Sequence, residues 1–228
     1  MPVIPTVNTK GGSGKSTTAN ILATTLARMG ATVRLIDCDP QGTNARWGRE
    51  GQSKYRDIVV PLVVGEDLTD LIDRLATEVQ FVVIDVQGSA NMEISAAVSR
   101  ADLVLIPAHG KTADAEVIPT TLELLGKQEK MFRRPIERRV VFIGTNPQIA
   151  RREEKKLRNE AVEAGVPLTK TDLNDRAAFS DIFQFKLALD ELNDKDTNGL
   201  PKATVNAVTF TNEVVEIVRS LQKGKEVA

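Results

Sequence analysis

Short runs that are apolar at nearly every position alternate along the chain with longer stretches that are apolar on one side only. The first kind comprises "TVRLID" (Thr32–Asp37), "FVVIDV" (Phe81–Val86), "LVLIP" (Leu103–Pro107) and "VVFIGT" (Val140–Thr145). Strands with one wet face alternate polar and apolar residues. These runs do not, so they predict parallel strands buried between two helical layers. The second kind predicts helices over Ser16–Met29, Leu68–Thr77, Met92–Arg100, Ala113–Glu129, Arg151–Ala164 and Val205–Leu221. Gly30 and Gly165 stand just past two of these ends, where a left-handed residue closes a helix. The alternation implies an α/β fold, a doubly wound, mainly parallel sheet flanked by helices. With 228 residues and neither a repeat nor a linker, the expectation is a single domain over 1–228.

Two segments fit this pattern less well. Pro5 falls inside the expected first strand and removes a ladder donor, so that strand either starts late, near Thr6, or bends at Pro5. "DELNDKDTNGLPK" (Asp190–Lys202) is polar and turn-rich and reads as a surface loop before the last helix.

Composition narrows the chemistry. Hydrophobic residues make up 41 % and charged ones 27 %, an ordinary globular mix. No apolar run is long enough to span a membrane and the N-terminus lacks a signal-peptide pattern, so a cytoplasmic location is expected. The lone cysteine, Cys38, excludes an internal disulfide and a CxxC metal site, and reads as a packing residue. The lone histidine, His109, reads as a loop residue after a strand. Carboxylates, lysines and a bound cofactor must therefore carry any reaction.

The stretch "NTKGGSGKST" (Asn8–Thr17) lies between the first expected strand and the first helix. Its residues 9–16 follow the phosphate-loop pattern G-x-x-x-x-G-K-[ST], with Thr9 in place of the opening glycine. Gly11, Gly12, Ser13, Gly14, Lys15, Ser16 and Thr17 form the expected nucleotide cradle. Its glycines let backbone N–H groups wrap phosphate oxygens. Lys15 would neutralise the β/γ-phosphates, and the Ser16 hydroxyl would ligate Mg²⁺. A second lysine, Lys10, stands at the loop's mouth. Asp85 closes an apolar strand, and Asp37 and Asp39 lie two apart at the end of another; strand alternation would aim that pair the same way if the strand ran so far.

In this arrangement K-G-G-x-G-K-[ST] resembles the deviant Walker A motif of the ParA/MinD superfamily. "LIDCDPQG" (Leu35–Gly42) resembles that family's D-x-D-P-Q-G motif, and "FVVIDVQGS" matches its Walker B position. "ADLVLIPA" (Ala101–Ala108) and "LNDRAAFSDI" (Leu173–Ile182) are similar to later family segments. The resemblance is to the short ParA-type partition ATPases without an N-terminal helix-turn-helix. It implies ATP and Mg²⁺ as cofactors and an ATP-dependent homodimer. In it Lys10 reaches the partner's nucleotide, which makes Lys10, Lys15 and Asp39 the catalytic set. Asp39 would position or activate the attacking water, Asp37 and Asp85 with Ser16 would serve the metal, and Asn146 of "GTNPQ" would contact the base. "DVQGSAN" departs from the proline pair that many members carry after the Walker B aspartate.

Charge adds one feature. Nine basic residues stand against three acidic ones between Met131 and Arg158, a local +6 in a chain whose net charge is −1. This is either a polyanion footprint or a solvated helix face. Arg151, Arg152, Lys155 and Lys156 are the DNA-binding candidates.

The leading expectation is a Mg-dependent ATPase that binds DNA nonspecifically, partitions or positions it, and is stimulated by a DNA-binding or cargo adaptor protein. Such a protein is nucleoid-associated when ATP-bound. The alternatives are a MinD-like membrane-surface ATPase and a protein-cargo positioning ATPase. The final helix reads as packed on the core, so no membrane contact is expected. Iron–sulfur and arsenite chemistry are disfavoured by the single cysteine.

Overall fold

The computed structural model describes residues 1–88, 92–111, 114–149 and 151–227. Seven strands form one sheet: β1 (Val3–Thr6), β2 (Val33–Asp37), β3 (Val59–Pro61), β4 (Phe81–Asp85), β5 (Val104–Ala108), β6 (Arg138–Thr145) and β7 (Leu173–Asn174). Their spatial order is β3-β2-β4-β1-β5-β6-β7, and every pairing is parallel. The helices are α1 (Lys15–Arg28), α2 (Thr43–Glu50), α3 (Leu68–Glu78), α4 (Met92–Arg100), α5 (Asp114–Phe132), α6 (Arg152–Glu163), α7 (Ala177–Phe185) and α8 (Leu200–Val227).

Both sheet faces are dry, as the unbroken apolar runs require. On one face Leu22 and Leu26 of α1, Ile182 of α7 and Phe210 and Val214 of α8 pack against Ile4, Leu35, Val83 and Leu105. On the other, Leu71 of α3, Val98 of α4, Leu125 of α5 and Leu157 of α6 cover Ile36, Ile84, Ile106 and Phe142. α1 thus lies on the opposite side from α4 and α5, although β1 sits between β4 and β5. The winding reverses there, and reversal opens a crevice at the carboxyl ends of the strands.

The first strand neither starts late nor stops at Pro5. β1 pairs with β4 through all four residues, Val3↔Val82 to Thr6↔Asp85. On its other side the Val3 carbonyl accepts from Asp102 N–H, just before β5, and the Val7 N–H donates to the Leu105 carbonyl. Odd-numbered residues therefore face that neighbour, and the donor missing at Pro5 is lost only there. The β1–β5 register accordingly holds at a single pair, Thr6↔Leu105.

The reading of Asp190–Lys202 needs correction. The last helix begins at Leu200 rather than Val205, with Pro201 in its first turn, where a missing N–H costs nothing. Leu192, Thr197 and Leu200 are buried, so this segment is seated on the core despite its polar composition. Its leucines do the anchoring. The α8 residues Ala203, Ala207, Phe210, Val214 and Val218 are buried, so the final helix spends its apolar face on the sheet, as expected. Gly30 and Gly165 both adopt positive φ past α1 and α6. Of the expected helix Ala113–Glu129, Ala113 lies outside the described residues, as do Ser89–Asn91 of "DVQGSAN".

Candidate functional site

The crevice is built around the loop joining β1 to α1. Asn8 is fully buried and fixes the loop from both sides: its Nδ2 donates to the Pro107 carbonyl (2.7 Å) and its Oδ1 accepts from Lys10 N–H (2.8 Å). Thr9, where the usual pattern has glycine, donates its N–H to Thr121 Oγ1 of α5 (3.3 Å). Gly14 has φ 83°, and a Cβ there would lie 1.9 Å from Ile143 Cδ1, so only glycine fits. Gly14 is also the N-cap of α1 and provides no side-chain cap. The first-turn N–H groups of α1 therefore open toward the crevice, an arrangement suited to an anion.

Gly11, Gly12, Ser13, Gly14, Lys15, Ser16 and Thr17 line a cavity of about 480 Å³ with Asp39, Gln41, Thr43, Gln87, Gly88 and His109. Lys15 is 5 % exposed and donates from Nζ to the Lys10 carbonyl (3.2 Å). Burial holds its ammonium below the ordinary lysine range, opposed by the negative charges of Asp85 and Asp39. Lys10 itself is exposed at the mouth. Gly88 comes so close that a Cβ would sit 3.0 Å from both the Lys10 carbonyl oxygen and Lys15 Nζ.

The three predicted aspartates take different positions. Asp85, at the end of β4, is fully buried. Burial first, and then the Asp37 charge, push its carboxyl up to about 7, while the Ser16 and Asn44 side chains and the Lys15 charge pull the other way. β2 ends at Asp37, so Asp39 lies beyond it and the two do not share a strand face. Asp37 turns inward, where Oδ1 accepts from Asp39 N–H (3.0 Å) and Oδ2 from Ala45 N–H (2.7 Å). It ties the loop to the first turn of α2, and burial raises its pKa against these donors. Asp39 is partly exposed on the cavity wall, with Oδ1 accepting from Gln41 N–H (2.9 Å).

Among the described residues no cluster of three or more carboxylate, histidine or cysteine side chains is placed to hold a metal ion alone. The donor set still fits Mg²⁺, which keeps several waters and shares phosphate oxygens. The Ser16 side chain stands beside Asp85, whose Oδ1 is buried without a well-formed hydrogen bond. A buried carboxylate oxygen without a donor suits the water shell of a cation.

Asn146 lies in a second cavity, also about 480 Å³, lined by Gly144, Asn146, Pro147, Gln148, Ile149, Arg151, Asp175, Arg176 and Lys202. Its Oδ1 accepts the N–H groups of Gln148 (2.9 Å) and Ile149 (3.2 Å). Arg151, proposed from sequence for DNA, lines this same cavity.

The basic segment divides. Arg134 donates to the carbonyls of Val98 (2.8 Å), Ser99 (2.9 Å) and Ala101 (3.2 Å) at the end of α4. Arg138 pairs with Glu129, and Arg139 with Glu137. Arg158 bridges Glu154 and Asp172 over the Phe142 ring. Those four arginines serve the fold. Arg151, Arg152 and Lys155 are exposed and form no ion pair among the described residues, while Lys156 pairs with Glu160 at 3.6 Å.

Sequence reasoning missed Gln41, Thr43, Asn44, Gln87 and His109. His109 is no bystander, since its Nε2 lies 3.1 Å from the Gly12 carbonyl in the cavity wall. Its place directly after β5, at a strand's carboxyl end, was the available signal.

Comparison with known proteins agrees with this geometry. Residues 4–206 match the family described as the CobQ/CobB/MinD/ParA nucleotide binding domain. The Protein ParA of Rhizobium radiobacter is 34 % identical over 210 residues, covering 92 % of this chain and 94 % of that protein. The fold is similar to the ATP complex of a single-residue variant of Cyanothece McdA (TM-score 0.73, 16 % identity, 94 % of this chain and 96 % of that one). It is also similar to the MinC:MinD cell division protein complex of Aquifex aeolicus (TM-score 0.67, 16 % identity, 92 % and 94 %). The phosphate loop, the aspartates at the strand ends and the match over most of its length make the chain a member of the CobQ/CobB/MinD/ParA nucleotide-binding family.

Proposed function

We propose that this protein is an ATPase that dimerises on ATP, binds DNA nonspecifically as the dimer, and partitions or positions DNA until an adaptor protein stimulates hydrolysis. The observation that carries this reading is the division of labour between two lysines. Lys15 is buried and faces its own cavity, whereas Lys10 is exposed at the mouth. A cation at the mouth serves a phosphate held by a second copy, so nucleotide occupancy and dimerisation become linked.

Within one pocket, Lys15 neutralises the β/γ-phosphates and the loop's N–H groups hold their oxygens. Ser16 and Asp85 would hold the metal's water shell, and Asp37 would act on it through the loop that it fixes. Mg²⁺, when bound, would supply neutralisation of the triphosphate charge. Asp39, on the cavity wall, positions the water that attacks the γ-phosphorus as the bond to the β-phosphate oxygen breaks. Asn146 offers its amide to the base.

Lys10→Ala is expected to bind ATP with near wild-type affinity yet stay monomeric in light scattering with ATP and Mg²⁺. A normal ATP-dependent dimer removes Lys10 from the interface.

The DNA surface in this reading is Arg151, Arg152, Lys155 and Lys156, at the N-cap and in the first turns of α6. Reversing these four residues to glutamate is expected to weaken duplex retention at least about tenfold at low salt and to flatten its salt dependence. Undiminished retention places the DNA elsewhere. The membrane reading draws no support from α8, whose apolar face is buried, and no helix among the described residues is long and apolar enough to cross a membrane. Positioning of a protein cargo uses the same chemistry, and loss of DNA binding in the wild type would favour it.

A further inference from the structure

Two asparagines, Asn20 in the middle of α1 and Asn44 in the first turn of α2, are fully buried and bonded to each other, and Asn44 also reaches Asp85. Asn20 Nδ2 donates to Asn44 Oδ1 (2.9 Å). Asn44 Nδ2 donates in turn to Asp85 Oδ2 (2.9 Å) and to the Ser16 carbonyl (3.3 Å). The chemistry fixes this orientation, because the flipped amide would set an oxygen against a carboxylate and a carbonyl. Neither asparagine belongs to the motifs that located the site. Buried amides cost desolvation unless they are bonded, so a polar pair at this depth calls for a reason.

The reason lies in what Asn44 joins. It occupies one oxygen of Asp85 and leaves the other, Oδ1, without a well-formed bond. It also bonds the backbone of Ser16, the residue whose hydroxyl serves the metal. Its helix begins just past Asp39, and Asp37 ties that same loop to Ala45, the next residue. The Asn44 side chain thereby connects Ser16 and Asp85, and the Asp37 carboxylate ties the Asp39 loop to the same turn of α2.

We propose that Asn44 is a positioning residue for the metal-bound state, aiming the Asp85 carboxylate at the water shell beside Ser16 and setting the Asp39 loop relative to it. Asn20 supports Asn44 from behind by holding its carbonyl. This inference rests on the nucleotide and Mg²⁺ reading above. Residues that orient a metal's ligands typically change metal affinity about 10- to 100-fold when removed.

The test titrates Mg²⁺ against a fixed concentration of the fluorescent nucleotide mant-ATP, and separately measures mant-ATP affinity in EDTA. Wild type, Asn44→Leu, Asn44→Ser and Asn20→Val are compared, with circular dichroism to check folding. Asn44→Ser is too short to reach Asp85 and keeps the test decisive should Asn44→Leu not fold. The expected result is a rise of about tenfold or more in the Mg²⁺ needed for half-saturation in the Asn44 variants. Their EDTA affinity should stay within about twofold, and Asn20→Val should show a smaller shift. A merely structural asparagine would move both affinities together. An unchanged Mg²⁺ requirement in a folded Asn44 variant, or equal shifts for Asn20→Val and Asn44→Ser, overturns the role of Asn44 alone. A wild-type protein that binds no mant-ATP overturns the nucleotide reading and this role with it.

Discussion

Lys15→Ala is expected to raise the dissociation constant for ATP by at least about thirtyfold, measured by fluorescence or calorimetric titration. Removing one partner of a buried, hydrogen-bonded charge pair typically costs about 2–5 kcal/mol, and each 1.4 kcal/mol is a factor of ten. Lys15 is such a partner, since it is 5 % exposed and burial already strains its charge. Bound phosphate relieves that strain, so the ammonium's contribution grows when the ligand arrives. Folding should survive, because the loop is held by Asn8, Thr9 and the glycines rather than by the lysine's bond to the Lys10 carbonyl. A folded Lys15→Ala protein with unchanged ATP affinity would place the nucleotide outside this loop.

Asp39→Ala is expected to abolish turnover while preserving ATP binding and the ATP-dependent dimer. Positioned acid–base groups contribute roughly 10²- to 10⁴-fold to a reaction rate, and phosphate release should fall by a factor in that range. The variant keeps the loop's two anchors to Asp37, which come from the backbone N–H of residue 39 and from Ala45, and loses the bond from Gln41 N–H to the Asp39 carboxylate. What it removes is the carboxylate on the cavity wall. Phosphate release at the wild-type rate would exclude Asp39 from the reaction.

The fold was legible where burial is uniform. Strands β2, β4, β5 and β6 are dry on both faces, and continuous β-branched runs announce them. β3 and β7 were not legible: three residues of half-buried edge and two residues beside β6 carry too little pattern to register. α7 was recognised only as a similar segment, partly because Lys186 takes the left-handed position (φ 53°) where a glycine would have marked the end. α2 is only eight residues, and its buried Trp47 is oriented by a bond to the Ile182 carbonyl across 135 positions, a contact that no local pattern encodes.

The site divides in the same way. The phosphate loop is local, so glycine spacing and a lysine suffice to find it. Asp37 and Asp39 were found as a pair, but their separate orientations depend on where β2 stops. Asn44 and Asn20 meet only once α1 and α2 have packed. The local +6 was overstated for a related reason: a charge count cannot tell an arginine bridging Glu154 and Asp172 from one facing solvent.

The most direct measurement of the central claim is the mass of the protein by multi-angle light scattering, with and without ATP and Mg²⁺, using Asp39→Ala to hold the triphosphate state. Two copies joined through their nucleotides predict a shift from the 24.9 kDa of one chain to twice that mass, and no shift when Lys10→Ala is added. A mass that stays at one chain across all concentrations, in a protein that demonstrably binds ATP, would contradict it.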